Sequence, residues 1–502
     1  MKLNPLTCKD FYKADHATQY PSGTELVYSN LTPRSTKYVP PIAGLDDKIV
    51  FFGLQYFAKW FLIDTFNTEF FNLSREKVLG RYQRRMDTSL GKGAISCDRI
   101  GALHDLGYLP ICIRALPEGT AVNAKVPMLT IENTRPEFFW LTNFLETVLS
   151  NTLWMPCTTA TTIRRYRQLL TQYVEATGGD KALIPVSLHD FSSRGHSSPQ
   201  SAALSGAAFL TSSVGTDTIH AIDLLEDYYG ANADAELIGC SVFATEHSVM
   251  TMSGPDGEFD TFKRLITQTY PNGIVSIVSD SFDFWQVITD FLPKLKTEIM
   301  ARSGGYIVDK VVIRPDSGDP VKIITGDPDA PAGSPESKGA VECLYEIFGG
   351  TITPKGYRQL DSHIGLILGD GVTLQRCEAI LRRLKNKGFA ATNVVYGVGS
   401  YSTQYVSRDL YGFAVKATAG IVHGEVREIF KSPKTDQGSL KKSAKGFLAV
   451  YKDGAGDYFL RDRVSREEAT SDASELKTVF LDGKLVRETT LTEIRARVAT
   501  SL

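Results

Sequence analysis

KVVIRPDSGDP (Lys310–Pro320) sets the fold. Three apolar β-branched residues run without a polar interruption and then stop at Arg314, Pro315 and Asp316, followed by a Ser-Gly-Asp-Pro turn. A short apolar run bounded by turn residues is the pattern of a strand covered on both faces, which is the parallel-sheet case. Working outward, the same grammar recurs. IPVSLHD ends at Asp190, SSVGTD at Asp217, IGCSVFATEH at His247, GIVSIVSD at Asp280, IGLILGD at Asp370 and NVVYGVG at Gly399. From Asp190 the steps between endpoints are 27, 30, 33, 36, 54 and 29 residues. About 30 residues is one strand plus one crossover helix. Seven β/α units in a row predict an α/β chain, either a barrel or a doubly wound sheet, with ligands at the carboxyl ends of the strands. The 54-residue step contains GDPDAPAGSPESKG (Gly326–Gly339), which reads as an exposed loop.

Outside that region the pattern changes. In the first 150 residues, PEGTAV (Pro117–Val122) separates the strand-like runs 109–115 and 126–131. The most apolar long stretch, Phe138–Cys157, carries Asn143, Glu146 and Asn151, so it reads as a buried helix pair or helix plus turn rather than a bilayer span of about 20 apolar residues. LAVYKDGAGDYFL (Leu448–Leu460) and KTVFLDGKLVRE (Lys477–Glu488) each place Asp-Gly between alternating apolar residues, a hairpin signal. Thr490–Val498 reads as a closing helix. The predicted division is 1–150, 151–399 and 400–502, with the first and last parts forming one β-rich α+β unit beside the β/α unit.

Composition narrows the function. The chain has 502 residues, 42% hydrophobic and 22% charged, with 55 Lys+Arg against 57 Asp+Glu. That is a globular balance of two or three domains. It argues against a general nucleic-acid coat or a polybasic membrane binder. Seven scattered cysteines form no CxxC pair and fit a reducing, cytoplasmic setting. The N-terminal sixteen residues lack the apolar core of a signal peptide. No Walker-type GxxxxGK[ST], HExxH, EF-hand or metal-ligand spacing is present.

What remains is a set of strand-end residues: Arg194, Asp217, His247, Asp280, Arg314, Asp316 and Asp370. Arginines beside several carboxylates compose a site for a phosphorylated sugar, because a guanidinium fork binds phosphate and carboxylates accept from ribose hydroxyls. The GDG at Gly369–Gly371 and GVGS at Gly397–Ser400 let backbone N–H groups approach phosphate. His247 lies in the same predicted layer as Asp280. A carboxylate on one imidazole nitrogen would leave the other nucleophilic.

These residues carry a resemblance. DFYKADHATQYP (Asp10–Pro21), FFGLQY (Phe51–Tyr56), ENTRPEFFWLTN (Glu132–Asn143), HDFSSRG (His189–Gly195), GTDT (Gly215–Thr218), SVFATEHS (Ser241–Ser248), VSDSFD (Val278–Asp283), RPDSGDP (Arg314–Pro320), LGDGV (Leu368–Val372) and SRDL (Ser407–Leu410) resemble the nicotinamide phosphoribosyltransferase family. The resemblance implies an irregular β/α barrel of the type II phosphoribosyltransferase kind, with a β-rich α+β domain formed by the N- and C-terminal parts. It implies transfer of the phosphoribosyl group of phosphoribosyl pyrophosphate to nicotinamide, giving nicotinamide mononucleotide and pyrophosphate in NAD salvage. Mg²⁺ would accompany the diphosphate, and ATP would be hydrolysed through a phosphohistidine at His247.

By the same resemblance, Phe191 is one aromatic wall for nicotinamide and Tyr12, from the partner in a homodimer, is the other. Asp217 accepts from the carboxamide, with Ser241 at the same pocket. Arg314 and Asp316 serve the nucleotide and ribose, joined by Gly369 and Asp370. Arg194 and His247 face the diphosphate. Gly399, Ser400, Arg408, Lys416, Lys431 and Lys441 reach the ribose and phosphates. Asp280 and Asp316 assist the metal's water shell. Where the vertebrate-like form has a glycine run, this chain has GVGSYS (Gly397–Ser402), so a required positive φ at Ser400 would be costly. Two other readings remain. A nicotinate phosphoribosyltransferase would want a cation or neutral donors where Asp217 stands, and a non-catalytic binding protein would have lost His247, Arg314 or Asp316.

Overall fold

The structure, a computed structural model, describes residues 3–305, 308–431 and 444–502. Seven short strands follow the run-and-turn grammar: β1 Leu188–Asp190, β2 Gly215–Thr216, β3 Phe243–Ala244, β4 Ile274–Val278, β5 Lys310–Arg314, β6 Ile364–Leu368 and β7 Val394–Val398. Every pairing among them is parallel, in the spatial order β2-β1-β7-β6-β5-β4-β3. The two edges also meet. Gly215 bridges in parallel to Cys240, on the segment that runs into β3. There the Cys240 N–H donates to Val214 O (2.7 Å) and the Thr216 N–H to Cys240 O (2.9 Å). This bridge closes the curled sheet and decides for an irregular barrel over an open doubly wound sheet.

The barrel strands bury Val275, Ile277, Val311, Ile313, Leu366 and Val394 completely or nearly so. Amphipathic helices cover them. In the helix Leu374–Asn386, Thr373 caps the N-terminus through Arg376 N, and Leu374, Cys377, Ile380, Leu381 and Leu384 fall on one buried face at the three-and-four spacing. Truncating Leu381 to alanine would remove about 2–5 kcal/mol.

The second unit is an antiparallel seven-stranded sheet built from both ends of the chain. Its order is Glu425–Glu428, Ala414–Val422, Thr24–Thr32, Leu129–Asn133, Ile111–Ala115, Lys477–Leu481, Lys484–Leu485. C-terminal strands therefore flank the N-terminal ones on both sides. The Leu448–Leu460 signal is a hairpin of Phe447–Lys452 with Tyr458–Val464. The closing helix runs Leu491–Ala499 behind a capping box of Thr490 and Glu493. Buried Glu118 ties this unit to the barrel: its carboxylate accepts from Gly53 N and Gln55 N (both 2.6 Å) and from Tyr229 Oη (3.0 Å).

Two readings need refinement. Phe138–Cys157 resolves into a short helix, Leu141–Phe144, and the first third of a 32-residue helix, Glu146–Thr177, that keeps Pro156 inside. The carbonyl that Pro156 cannot reach is the one four residues back, and local relaxation there is the usual answer to an interior proline. The 54-residue step holds more than a loop. After Gly326–Gly339 come the helix Ala340–Phe348 and a two-stranded hairpin, Gly350–Ile352 with Arg358–Leu360. Among the described residues no helix is long and apolar enough to cross a membrane.

Candidate active site

The carboxyl ends of β3 to β6 converge on one cluster. Asp280, just past β4, accepts at Oδ2 from the backbone N–H of Asp316 (2.9 Å) and Ser317 (2.6 Å) and from Ser317 Oγ (2.5 Å). It thereby fixes the turn after β5. Arg314, the last residue of β5, donates from Nη2 to Thr245 O (2.7 Å), two strands away. Its Nε stands 3.4 Å from Asp316 Oδ1. The Asp316 carboxylate lies over the backbone of Gly369 at the end of β6, where a Cβ would stand 1.8 Å from Oδ1. Glycine at 369 is therefore a spatial requirement of the site.

His247 opens the helix His247–Thr251. Its Nδ1 is 3.2 Å from Ser281 Oγ, and its Nε2 is 3.9 Å from both Asp280 Oδ1 and Asp316 Oδ2. The orienting contact expected from Asp280 is thus made by Ser281. The two carboxylates sit beyond hydrogen-bond range of the free nitrogen. Sequence reasoning passes over Ser281, although its place beside Asp280 in VSDSFD is the available signal.

This cluster is not internally satisfied. Asp280 Oδ1, Asp316 Oδ1 and Arg314 Nε are buried without a hydrogen-bond partner. Burial pushes the Asp316 carboxyl up; Arg314 and His247 pull it down, while Asp280 and Asp370 push with burial, and the net direction is upward. Unsatisfied buried polar atoms at strand ends are positions for a ligand that brings its own donors and charge.

On the other side of the barrel mouth, Ser241 Oγ donates to Asp217 Oδ1 (2.5 Å). Asp217 also anchors β2 to β1 by its backbone N–H to Asp190 O (3.0 Å). Phe191 donates its backbone N–H to Val398 O (3.1 Å), and its ring lies on Gly397, where a Cβ would meet the ring at 2.2 Å. Gly397 is a second glycine whose missing side chain makes room for a site residue. Exposed Arg194 sits in the Ser193–Gly195 turn, which abuts Ser400: a Cβ on Gly195 would be 2.3 Å from Ser400 Oγ. Ser400 itself begins the helical turn Ser400–Thr403 behind Gly399, and it is not among the positive-φ residues. The backbone cost anticipated at Ser400 does not arise.

The remaining predicted residues lie elsewhere. Lys416 and Lys431 line a cleft of about 1010 Å³ on the antiparallel sheet, together with Arg34, Lys37 and Lys125, which sequence reasoning does not single out. Arg408, exposed, stands 4.0 Å from Asp409, another wall residue of that cleft. None of the strand-end cluster lines this cleft. Tyr12 is 61% exposed, with its ring 5.3 Å from His16 rather than on Phe191. Lys441 lies outside the described residues. Among those described, no group of three or more His, Cys, Asp or Glu is placed to hold a metal ion.

Comparison with known proteins identifies the family and the fold. Residues 186–484 match the nicotinate phosphoribosyltransferase family, and residues 4–76 match the nicotinamide phosphoribosyltransferase N-terminal domain. A nicotinamide phosphoribosyltransferase of Acinetobacter baylyi is 55% identical over 100% of this chain and 98% of its own length. One from Xanthomonas campestris is 36% identical, covering 98% and 97%. Two solved structures share the fold: nicotinate-nucleotide pyrophosphorylase from Pyrococcus furiosus, with TM-score 0.55, 14% identity and coverage of 99% and 95%, and human nicotinic acid phosphoribosyltransferase, with 0.52, 16%, 98% and 93%. The chain is a pentosyltransferase with a type II phosphoribosyltransferase fold, and it belongs to the nicotinamide phosphoribosyltransferase family.

Proposed function

We propose that this chain transfers the phosphoribosyl group of phosphoribosyl pyrophosphate to nicotinamide in NAD salvage. The ring nitrogen of nicotinamide supplies the electron pair for the new bond to the anomeric carbon, and the carbon–oxygen bond to diphosphate breaks. No strong base is required. The chain's contribution is positioning and support of charge on the departing diphosphate. Arg194 and Arg314 supply that support at the barrel mouth. The observation that carries the choice of nicotinamide is the Asp217–Ser241 pair: the 2.5 Å hydroxyl bond leaves a carboxylate that accepts from an amide NH₂ and repels a carboxylate.

Mg²⁺ bound to the diphosphate would neutralise part of its charge. The unpartnered Asp280 Oδ1 and Asp316 Oδ1 fit acceptors for the metal's water shell better than direct ligands. ATP coupling through His247 is part of the same proposal. Ser281 holds Nδ1, and Nε2 is open to accept a phosphoryl group, with release of ADP and later hydrolysis by water. The separation of the strand-end cluster from the basic cleft, together with exposed Tyr12, supports a homodimer in which one subunit's Tyr12 and cleft complete the other's site.

The test is product identification with nicotinamide or nicotinate and phosphoribosyl pyrophosphate, with and without ATP. Nicotinamide mononucleotide should form from nicotinamide, in higher yield with ATP. Preferential turnover of nicotinate would reverse the substrate assignment.

A further inference from the structure

The loop after β1 carries Phe191 and Arg194, and it ends at His196, a residue with no part in the site described so far. Ser192 is 1% exposed, and both its N–H (2.9 Å) and its hydroxyl (2.6 Å) donate to Asp190 Oδ1. The His196 Nε2 lies 3.1 Å from Ser192 Oγ and 3.2 Å from Thr403 Oγ1. Its Nδ1 lies 3.3 Å from Ser201 Oγ, which is also 3.3 Å from the weaker acceptor Met155 Sδ.

Counting protons assigns the ring's roles. The Ser192 hydroxyl hydrogen is on Asp190, so toward His196 Ser192 only accepts. A neutral ring therefore carries its proton on Nε2, shared between Ser192 and Thr403, and Nδ1 accepts from Ser201. Burial lowers the imidazole pKa, Asp190 and Gln404 raise it, His220 lowers it further, and the net direction is down, in keeping with that neutral ring. One side chain thus joins the β1 loop, the helix Pro199–Phe209 and the turn Ser400–Thr403. The far side of that turn is held by Tyr166 Oη, 3.0 Å from Ser402 Oγ.

We propose that His196 is a positioning residue for the phosphoribosyl donor. It fixes the spacing between the Arg194 turn, on the diphosphate side, and the Ser400 turn, on the ribose-phosphate side. This rests on the functional reading above for the identity of the donor, but the mechanical link between the two turns does not.

The experiment compares wild type, His196→Ala and His196→Gln by steady-state kinetics and by amide hydrogen exchange over 191–196 and 400–404. His196→Ala should raise the KM for phosphoribosyl pyrophosphate about tenfold, the effect of losing two neutral hydrogen bonds. The KM for nicotinamide should change several-fold less, since Asp217 and Ser241 hang from other strands and Phe191 keeps its backbone bond to Val398. Exchange should quicken in both segments together. Glutamine, which donates and accepts through one amide, should restore most of both effects. A lower melting temperature and lower kcat with both KM values unchanged would show a merely structural histidine and overturn the proposal. So would unchanged exchange in the two segments. If the wild-type protein did not use these substrates, the functional reading would fall, and exchange alone would decide the link.

Discussion

Two of the chain's arginine–aspartate pairs, Arg164 with Asp46 and Arg314 with Asp316, are completed to different degrees. Arg164, fully buried in the long helix, forks onto Asp46 with bonds of 2.7 and 2.8 Å; its Nε donates to Ser501 Oγ at 2.8 Å and its Nη2 also to Ser501 O. Asp46 in turn accepts from Lys48 N and Gln168 Nε2. Burial pushes the Asp46 carboxyl up, but the Arg164 guanidinium outweighs it, and the value falls to about 2. Arg314 and Asp316 stand 3.4 Å apart, each with a buried atom unpartnered, and the Asp316 value moves the opposite way. A charge pair that satisfies itself holds the fold, while a pair left incomplete at a strand end is placed to be completed by substrate.

The strongest way to break this contrast is His247→Ala, which removes the open nitrogen 3.9 Å from the incomplete cluster. ATP hydrolysis and the acid-labile phosphoenzyme should be lost, nicotinamide mononucleotide synthesis should fall without vanishing, and the melting temperature should hold. Wild-type ATP hydrolysis in a stable mutant rules out the phosphohistidine. Arg164→Met tests the satisfied pair. It should cost about 1–3 kcal/mol in denaturant unfolding, less than a wholly buried pair because Asp46 keeps 36% of its side chain exposed, while the folded fraction keeps its KM values. Altered KM values there would erase the distinction.

Asp316→Asn should lower turnover by about 10²–10³-fold. Because the folded carboxyl titrates above its unfolded value, its stability contribution is present at low pH and lost as pH rises through the folded value. Asparagine should therefore leave melting at pH 8 unchanged or higher. Asp46→Asn has the opposite sign: a carboxyl lowered to about 2 contributes above the unfolded value near 4. That mutant should melt lower at pH 7, and the deficit should close between roughly pH 4 and 2. Matching pH profiles for the two mutants would refute the comparison. The smallest expected change is in specificity. Asp217→Asn should shift the ratio of kcat/KM for nicotinamide over nicotinate by about 1–3 kcal/mol, one to two decades. An unchanged ratio removes Asp217 from substrate choice.

The strand ends were legible because the physics of a two-faced parallel strand is written locally: an apolar run must stop where the sheet stops, as at Asp280 and Asp316. Relations through space were not. Ser281, rather than Asp280, meets His247; Gly397 is small because Phe191 lies on it; and His196 joins three segments far apart in sequence. The hairpin at Gly350–Leu360 has strands of three residues, too short to show an alternation behind the Pro/Gly-rich stretch that precedes it. The separation of Lys416 and Lys431 from the barrel mouth depends on tertiary placement, which no spacing rule conveys.

The pairing of Thr24–Thr32 with Ala414–Val422 sets a timetable for assembly. Asn30 lies opposite Lys416, a separation of 416 − 30 = 386 residues. At about 5–20 residues per second of synthesis, the first strand waits roughly 20–80 s for that neighbour. During the wait its edge is open to any other extended chain. The whole barrel is made within the interval, so its core can form before the sheet is complete. The basic cleft that contains Lys416 is therefore among the last features to exist on each new molecule.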